Sequence, residues 1–137
     1  MPGLGGLLET SLYVGELERS RAFYTALFGF RVLFEDGRFC ALDVCGRQVL
    51  LLFQRGATAA PVETPGGTIP GHGGDGSLHL AFAIGRDDWD PWERRLQQEK
   101  IPVESRVTWS RGGKSIYFRD PDGHLVELAV PGVWPIY

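Results

Sequence analysis

Apolar and polar residues alternate over Leu7–Val14, as they do in a strand buried on one face. The next segment, Glu16–Phe28, has apolar residues at helical spacing and ends at Gly29, a residue that suits the end of a helix. Three short runs rich in strand formers follow, separated by turns at 35–37 and 45–47. They predict strands at Phe30–Phe34, Phe39–Val44 and Gln48–Phe53. The first half of the chain therefore predicts the order β-α-β-β-β.

The same order of elements returns in the second half of the chain. A strand pattern covers Leu78–Ile84, and helical spacing covers Asp87–Lys100, with Asp87 or Asp88 as the expected cap. Three extended segments follow, and an Asp-Pro-Asp-Gly turn at 120–123 separates the last two. They are Pro102–Trp109, Lys114–Phe118 and His124–Val130. The second half therefore also predicts β-α-β-β-β.

The two halves match residue by residue. Residues 8–15 align with 78–85 without a gap, and Gly46–Phe53 aligns with Gly123–Val130. A unit this small has too little core to be stable alone, so the two modules are expected to pack together or across a dimer. The pattern predicts an α+β fold in one domain over 1–137. Its two βαβββ modules, at about 7–54 and 77–131, form curved mixed sheets.

The segment that joins the modules has a different composition. Residues 55–76 are rich in Gly, Pro, Thr and Ala, and this is too long for a plain connector in a compact chain. Such segments are usually lids or mobile linkers. We expect it to lack regular structure, to be mobile and to cover a cleft beside His79.

Composition narrows the classes of function. Hydrophobic residues make up 43% and charged residues 23%, as in ordinary globular domains. The net charge is −3 and the basic residues are scattered, which argues against a nucleic-acid or membrane-surface partner. No apolar run could span a bilayer, and no signal peptide is evident, so we expect a cytoplasmic protein. Cys40 and Cys45 are expected to be free thiols.

Three polar residues interrupt apolar strands at related positions. The repeat aligns Glu9 with His79, and Glu127 lies inside the last strand, where the aligned residue of the first half is Leu50. Imidazole and carboxylate groups bind divalent cations such as Mn, Ni, Zn or Fe. The set is either a metal site or three partly exposed strand residues. The remaining histidines, His72 and His124, are expected to be solvent-exposed.

Two segments carry a resemblance to a known family. Residues 17–30 (LERSRAFYTALFGF) and 115–127 (SIYFRDPDGHLVE) resemble the vicinal oxygen chelate superfamily of glyoxalases, bleomycin-resistance proteins and extradiol dioxygenases. The resemblance spans roughly residues 7 to 131. It implies that fold and a metal bound by the first-strand residue of each half and by the glutamate after the turn. These residues are Glu9, His79 and Glu127.

The resemblance implies a metal-dependent enzyme, a glyoxalase-like lyase or isomerase acting on a small oxygenated substrate. Glyoxalase I itself is disfavoured, because its longer glutathione-binding elements are not evident. In that chemistry Glu9 or Glu127 would leave the metal and act as the base. The first-strand ligand of the family is commonly His or Gln, and the Glu at position 9 argues against an extradiol dioxygenase. The resemblance also implies a homodimer, formed by pairing or by exchanging modules. In the exchanged form, Glu9 comes from one chain and His79 and Glu127 come from the other.

Two alternatives remain open. In fosfomycin-type thiol transferases, the region resembling 109–118 binds a monovalent cation and a phosphonate. This implies substrate-binding roles for Ser11, Lys114, Ser115 and Tyr117. Those enzymes also use an arginine beyond the glutamate ligand, whereas residues 128–137 contain no Lys or Arg. The other alternative is a metal-free drug-sequestering dimer of the bleomycin-resistance type.

Overall fold

The computed structural model describes residues 1–137, which divide into two compact units, Met1–Gly76 and Ser77–Tyr137. Each unit contains one helix and one four-stranded mixed sheet. The α+β class and the two βαβββ modules predicted from the sequence are therefore confirmed. Neither helix has the length and apolar character needed to cross a bilayer.

The first unit has its strands in the spatial order β1-β4-β3-β2. β1 runs parallel to β4, and the other neighbours are antiparallel. The bounds are β1 Glu9–Val14, α1 Leu17–Phe28, β2 Arg31–Glu35, β3 Phe39–Val44 and β4 Gln48–Gln54. Leu42, Leu50 and Leu52 are fully buried on the face that packs against α1. Their neighbours in sequence point to the opposite face, which leaves one side of the sheet for a site.

Backbone groups at both ends of α1 form specific hydrogen bonds. Leu17 N–H donates to Oε1 of Gln54 at 3.1 Å, while the amide of Gln54 donates to Gly15 O at 2.8 Å. Gly29 adopts φ 70°, and its N–H donates to Thr25 O. This left-handed cap is favourable for glycine and explains why the helix ends where the sequence predicts.

The joining segment contains regular structure, so the expectation of none was wrong. β5 (Val62–Thr64) and β6 (Gly67–Ile69) form a short antiparallel hairpin. The Gly-rich, Pro-rich composition hid it because each strand has only three residues, too few for an alternating pattern. The mobility and the lid role of this segment stay predictions.

The second unit repeats the topology, with the spatial order β7-β10-β9-β8 and β7 parallel to β10. A 3-10 turn over Arg86–Asp88 precedes its helix. The bounds are β7 His79–Ala83, α2 Trp89–Gln98, β8 Val103–Thr108, β9 Lys114–Arg119 and β10 Leu125–Ala129. Leu96 of α2 is buried, as are Ile116, Phe118, Val126 and Leu128 of the sheet.

Strand registers define which residues of the two units are equivalent. Glu9 is level with Val49, and His79 is level with Leu125. Val49 of β4 and Leu125 of β10 are therefore equivalent. Two residues further along each strand, Leu51 is equivalent to Glu127. The alignment through the turn glycines, which set Leu50 against Glu127, was wrong by one residue. Leu50 points to the helix, whereas Leu51 and Glu127 lie on the other face.

Candidate metal and substrate site

His79 and Glu127 lie on neighbouring parallel strands and meet on the face of the second sheet that points away from α2. Nε2 of His79 is 3.2 Å from Oε2 of Glu127. The Glu127 residue is only 6% exposed, while the His79 side chain is half-exposed. Glu127 is thus nearly buried, while part of the His79 ring is accessible to solvent.

A backbone carbonyl determines the tautomer of His79. Nδ1 lies 3.0 Å from Leu125 O, and since a carbonyl only accepts, Nδ1 carries the proton. In the neutral ring the lone pair of Nε2 then faces the Glu127 carboxylate. An imidazole nitrogen beside a carboxylate oxygen is a pair of donors that suits a divalent metal. A histidine held through its other nitrogen is also the usual arrangement in metal centres.

The other carboxylate oxygen of Glu127 has its own partner. The hydroxyl of Ser115 donates to Oε1 at 2.5 Å, and the indole Nε1–H of Trp109 donates to the same hydroxyl at 2.8 Å. Tyr117, which pairs across the strand with Glu127, also interacts with both groups. Burial raises the pKa of the Tyr117 phenol, the hydrogen bond with Ser115 opposes this rise, and the charge of Glu127 adds to it. The phenol therefore stays protonated near neutral pH.

Glu9 and Ser11 belong to the first unit, at the start of β1 and on the face that points away from α1. Glu9 lines a cavity of about 400 Å³ between the sheet and the β5–β6 hairpin. Most of the remaining lining is apolar. It includes Leu51, Phe39, Phe53, Val62, Ile69 and Pro70. The cavity would accept an apolar group beside the Glu9 carboxylate.

Three polar residues also line the cavity, namely Arg38, Thr58 and His72. Arg38 and Thr58 were not considered from the sequence, whereas His72 was weighed as a residue able to reach a site. Nδ1 of His72 shares a 2.7 Å hydrogen bond with the hydroxyl of Tyr13, and its ring lies 4.6 Å from that of Phe53. His72 is exposed, as expected, but it is ordered by these contacts. No local pattern signals it, because its partners are far away in the sequence.

The prediction that His124 is exposed is wrong, and Lys114 lies apart from Glu127. His124 is fully buried rather than exposed. Its ring Nδ1 accepts a hydrogen bond from the backbone N–H of Leu78, and its backbone N–H donates to Oδ1 of Asp120. The Nζ of Lys114 lies 5.2 Å from the ring centre of Trp89 rather than beside Glu127. The substrate-binding role of Lys114 stays a prediction. Alternation along β9 places Lys114 and Ser115 on opposite faces.

Within either unit, no three His, Cys, Asp or Glu side chains gather into a group able to hold a metal ion. Two of the three predicted ligands, His79 and Glu127, lie in the second unit, and the third, Glu9, lies in the first. The predicted set of three thus takes residues from both units and stays a prediction.

The chain is similar to several characterised proteins. It is 31% identical over 116 residues to metallothiol transferase FosB from Lysinibacillus sphaericus, covering 84% of this chain and 74% of that protein. A shorter match of 55 residues, at 38% identity, covers 38% of this chain and 36% of glutathione transferase FosA from Serratia marcescens. A solved structure described as lactoylglutathione lyase from Agrobacterium tumefaciens is 34% identical. It has a TM-score of 0.88 and covers 98% of this chain and 99% of that one.

A family model describes the same relationship across most of the sequence. The model of the glyoxalase/bleomycin resistance protein/dioxygenase superfamily matches residues 6–128, a range that includes Glu9, His79 and Glu127. The paired βαβββ modules and the histidine–glutamate pair agree with this match. The chain therefore belongs to the glyoxalase/bleomycin resistance protein/dioxygenase superfamily.

Proposed function

We propose that this protein is a metal-dependent enzyme, a lyase or isomerase of the glyoxalase kind that acts on a small oxygenated substrate. The observation that carries the proposal is the 3.2 Å approach of His79 Nε2 to Glu127 Oε2, with Nδ1 already committed to Leu125 O. Glu9 is the third ligand. The donor set suits Mn, Ni, Zn or Fe.

A divalent cation in this site would supply positive charge that stabilises an oxyanion developing on the substrate. The chain supplies the proton transfer. Glu9 lies beside the cavity and is exposed, so it is the carboxylate with room to act as a base. Glu127 is held by Ser115 and is nearly buried, which suits a ligand that stays in place.

The cavity of the first unit limits which chemical groups the substrate can carry. Its apolar wall would hold a phenyl or branched aliphatic group beside Glu9. The compound named in the similar lyase, lactoylglutathione, is a thioester of a 2-hydroxy acid with a thiol. The sequence by itself disfavours glyoxalase I, but the similarity to this lyase extends over nearly the whole of both chains. We therefore propose the adduct of a thiol with a 2-oxoaldehyde as the substrate class, and its isomerisation to such a thioester as the reaction.

The metal is tested first by elemental analysis of the purified protein after reconstitution with each candidate ion. One ion per chain is expected for the parent, with steep losses for His79→Ala and Glu127→Ala. Glu104→Gln, which changes an exposed carboxylate elsewhere in the same unit, is the control. Undiminished binding in both ligand variants would place the site elsewhere. A parent that binds none of the ions would instead favour the metal-free, drug-sequestering reading.

The reaction is tested with methylglyoxal or phenylglyoxal and glutathione, by following thioester formation. Glu9→Gln is expected to lower kcat by about a hundredfold or more, the usual contribution of a general base. Glu18→Gln, at an exposed site on α1, is the matched control. Full activity in Glu9→Gln would rule out Glu9 as the base.

Thiol transfer is the second candidate, favoured by the similarity to FosB across most of the chain. Ser11 and Tyr117 would contact the substrate in that reaction. The absence of Lys and Arg from 128–137 argues against a full phosphonate clamp. Incubation with fosfomycin and a low-molecular-weight thiol distinguishes the two, because a covalent adduct seen by mass spectrometry would replace the lyase proposal.

The small core of each module also supports a homodimer, in which Glu9 of one chain joins His79 and Glu127 of its partner. Light scattering at micromolar concentration is expected to give twice the mass of the chain. A monomeric mass would remove this arrangement.

A further inference from the structure

Three side chains of the second unit form a continuous hydrogen-bonded chain that ends on Glu127. Trp109 follows β8, Ser115 lies in β9 and Glu127 lies in β10. Trp109 Nε1 is 2.8 Å from Ser115 Oγ, which is 2.5 Å from Glu127 Oε1. Ser115 is completely buried, whereas Trp109 is 37% exposed.

The chemistry of the three groups sets the direction of every hydrogen bond. An indole N–H only donates, so the Ser115 oxygen accepts from Trp109. A hydroxyl has a single proton, and an ionised carboxylate only accepts, so the Ser115 proton goes to Oε1 of Glu127. Tyr117 also interacts with both Ser115 and Glu127, and it is the alternative partner for the Ser115 hydroxyl. The hydrogen bond from Trp109 favours the orientation of the Ser115 hydroxyl in which its proton points to Glu127.

We propose that Trp109 is a positioning residue that acts through Ser115 to hold Oε1 of Glu127, leaving Oε2 as the only oxygen that binds the cation. This inference rests on the proposed function. Oε1 is then engaged by Ser115, and Oε2, which faces His79, is the oxygen that would bind a cation. It also gives Ser115, which is completely buried, a role in supporting the ligand.

The loop that carries Trp109 is built to hold the indole in place. Trp109 N–H donates to Gly113 O at 2.8 Å, and Gly112 N–H donates back to Trp109 O at 2.9 Å. Arg86 fastens the same loop by donating to Gly112 O at 3.1 Å and to Pro131 O at 2.6 Å. The indole is therefore positioned before any cation binds, as expected of a group that orients a ligand.

The first test compares Zn²⁺ affinity between variants by competition with a chromophoric chelator. Trp109→Phe keeps the ring and removes the donor, and it is expected to weaken Zn²⁺ binding by roughly tenfold, as loss of a ligand's supporting hydrogen bond does. Trp134→Phe, an exposed tryptophan in the same unit, is the matched control and should bind like the parent. Equal affinity in the two variants would overturn the positioning role while leaving the metal site standing. A parent that binds no Zn²⁺ would remove the proposed function and this inference together.

A double-mutant cycle separates positioning from general loosening of the site. If Trp109 acts through Ser115, adding Trp109→Phe to Ser115→Ala should change the affinity by less than about twofold. Additive losses would show that Trp109 acts by another route and would overturn the proposal.

A third measurement uses the metal-free protein and does not depend on the folding of Ser115→Ala. The indole N–H proton of Trp109 should exchange with solvent far more slowly than that of Trp134, as measured by NMR. Equal exchange rates would contradict the hydrogen bond on which the proposal rests.

Discussion

Thr58 and His72 hold each other through two hydrogen bonds at the base of the segment that follows β4. His72 N–H donates to Thr58 O at 2.8 Å, and Thr58 Oγ1 donates to His72 O at 2.8 Å. Thr58 is only 4% exposed. These bonds fasten the two ends of the excursion that contains the β5–β6 hairpin, which forms one wall of the cavity beside Glu9.

Thr58→Val removes the hydroxyl while keeping the shape of the side chain. The free energy of unfolding is expected to fall by about 1 kcal/mol, the usual contribution of one hydrogen bond, and amide exchange over 59–71 should become faster. Thr108→Val, at an exposed position of β8 outside this segment, is the control. Unchanged exchange over 59–71 would show that the Thr58 hydroxyl does not anchor the segment.

Gly113→Ala should disrupt the loop that carries Trp109. A Cβ at position 113 would lie 2.4 Å from the backbone carbon of Gly132, and backbone cannot yield cheaply. We expect a loss of roughly 2–3 kcal/mol in unfolding free energy, measured by denaturant titration. Gly112→Ala is the matched control. It meets no atom within 4 Å and carries only the strain of φ 87°, about 1 kcal/mol. Equal losses at the two positions would contradict this packing.

The two cysteines should differ sharply in reactivity. Cys40 is fully buried, and burial together with the charge of Glu35 raises the pKa of its thiol to about 11. Cys45 is exposed. Because a raised pKa keeps the thiol protonated, iodoacetamide at pH 8 should label Cys45 alone, as seen by mass spectrometry. Cys45→Ser should remain unlabelled until the protein is unfolded. Labelling of native Cys45→Ser would show that Cys40 is accessible.

Ala60→Phe should fill the cavity of the first unit. Ala60 lines the cavity, so the larger side chain is expected to raise KM for the phenylglyoxal adduct by about tenfold without unfolding the protein. Ala59→Phe, at the neighbouring exposed position outside the lining, is the control. A KM unchanged in Ala60→Phe would mean that the substrate binds elsewhere.

Much of this protein follows from local pattern in the sequence. The alternation over β1 and β7 and the cap at Gly29 are short-range features, and the structure confirms the strands and the helix that they predict. The repeat and the turn before Glu127 were enough to select Glu9, His79 and Glu127 as candidates. These features depend on residues near one another in the chain, where propensity and periodicity are informative.

The tertiary structure decided which side each residue faces and what it touches. A strand has a two-residue period, so the one-residue error that set Leu50 against Glu127 exchanged the two faces of the sheet. Burial of His124 and the approach of Nε2 of His79 to Glu127 depend on strands brought together from distant parts of the chain. The same holds for the hydrogen bonds of Trp109 and Ser115, which depend on how a loop closes over β9. Such contacts have no local signature, because they are set by register and packing rather than by the sequence around each residue.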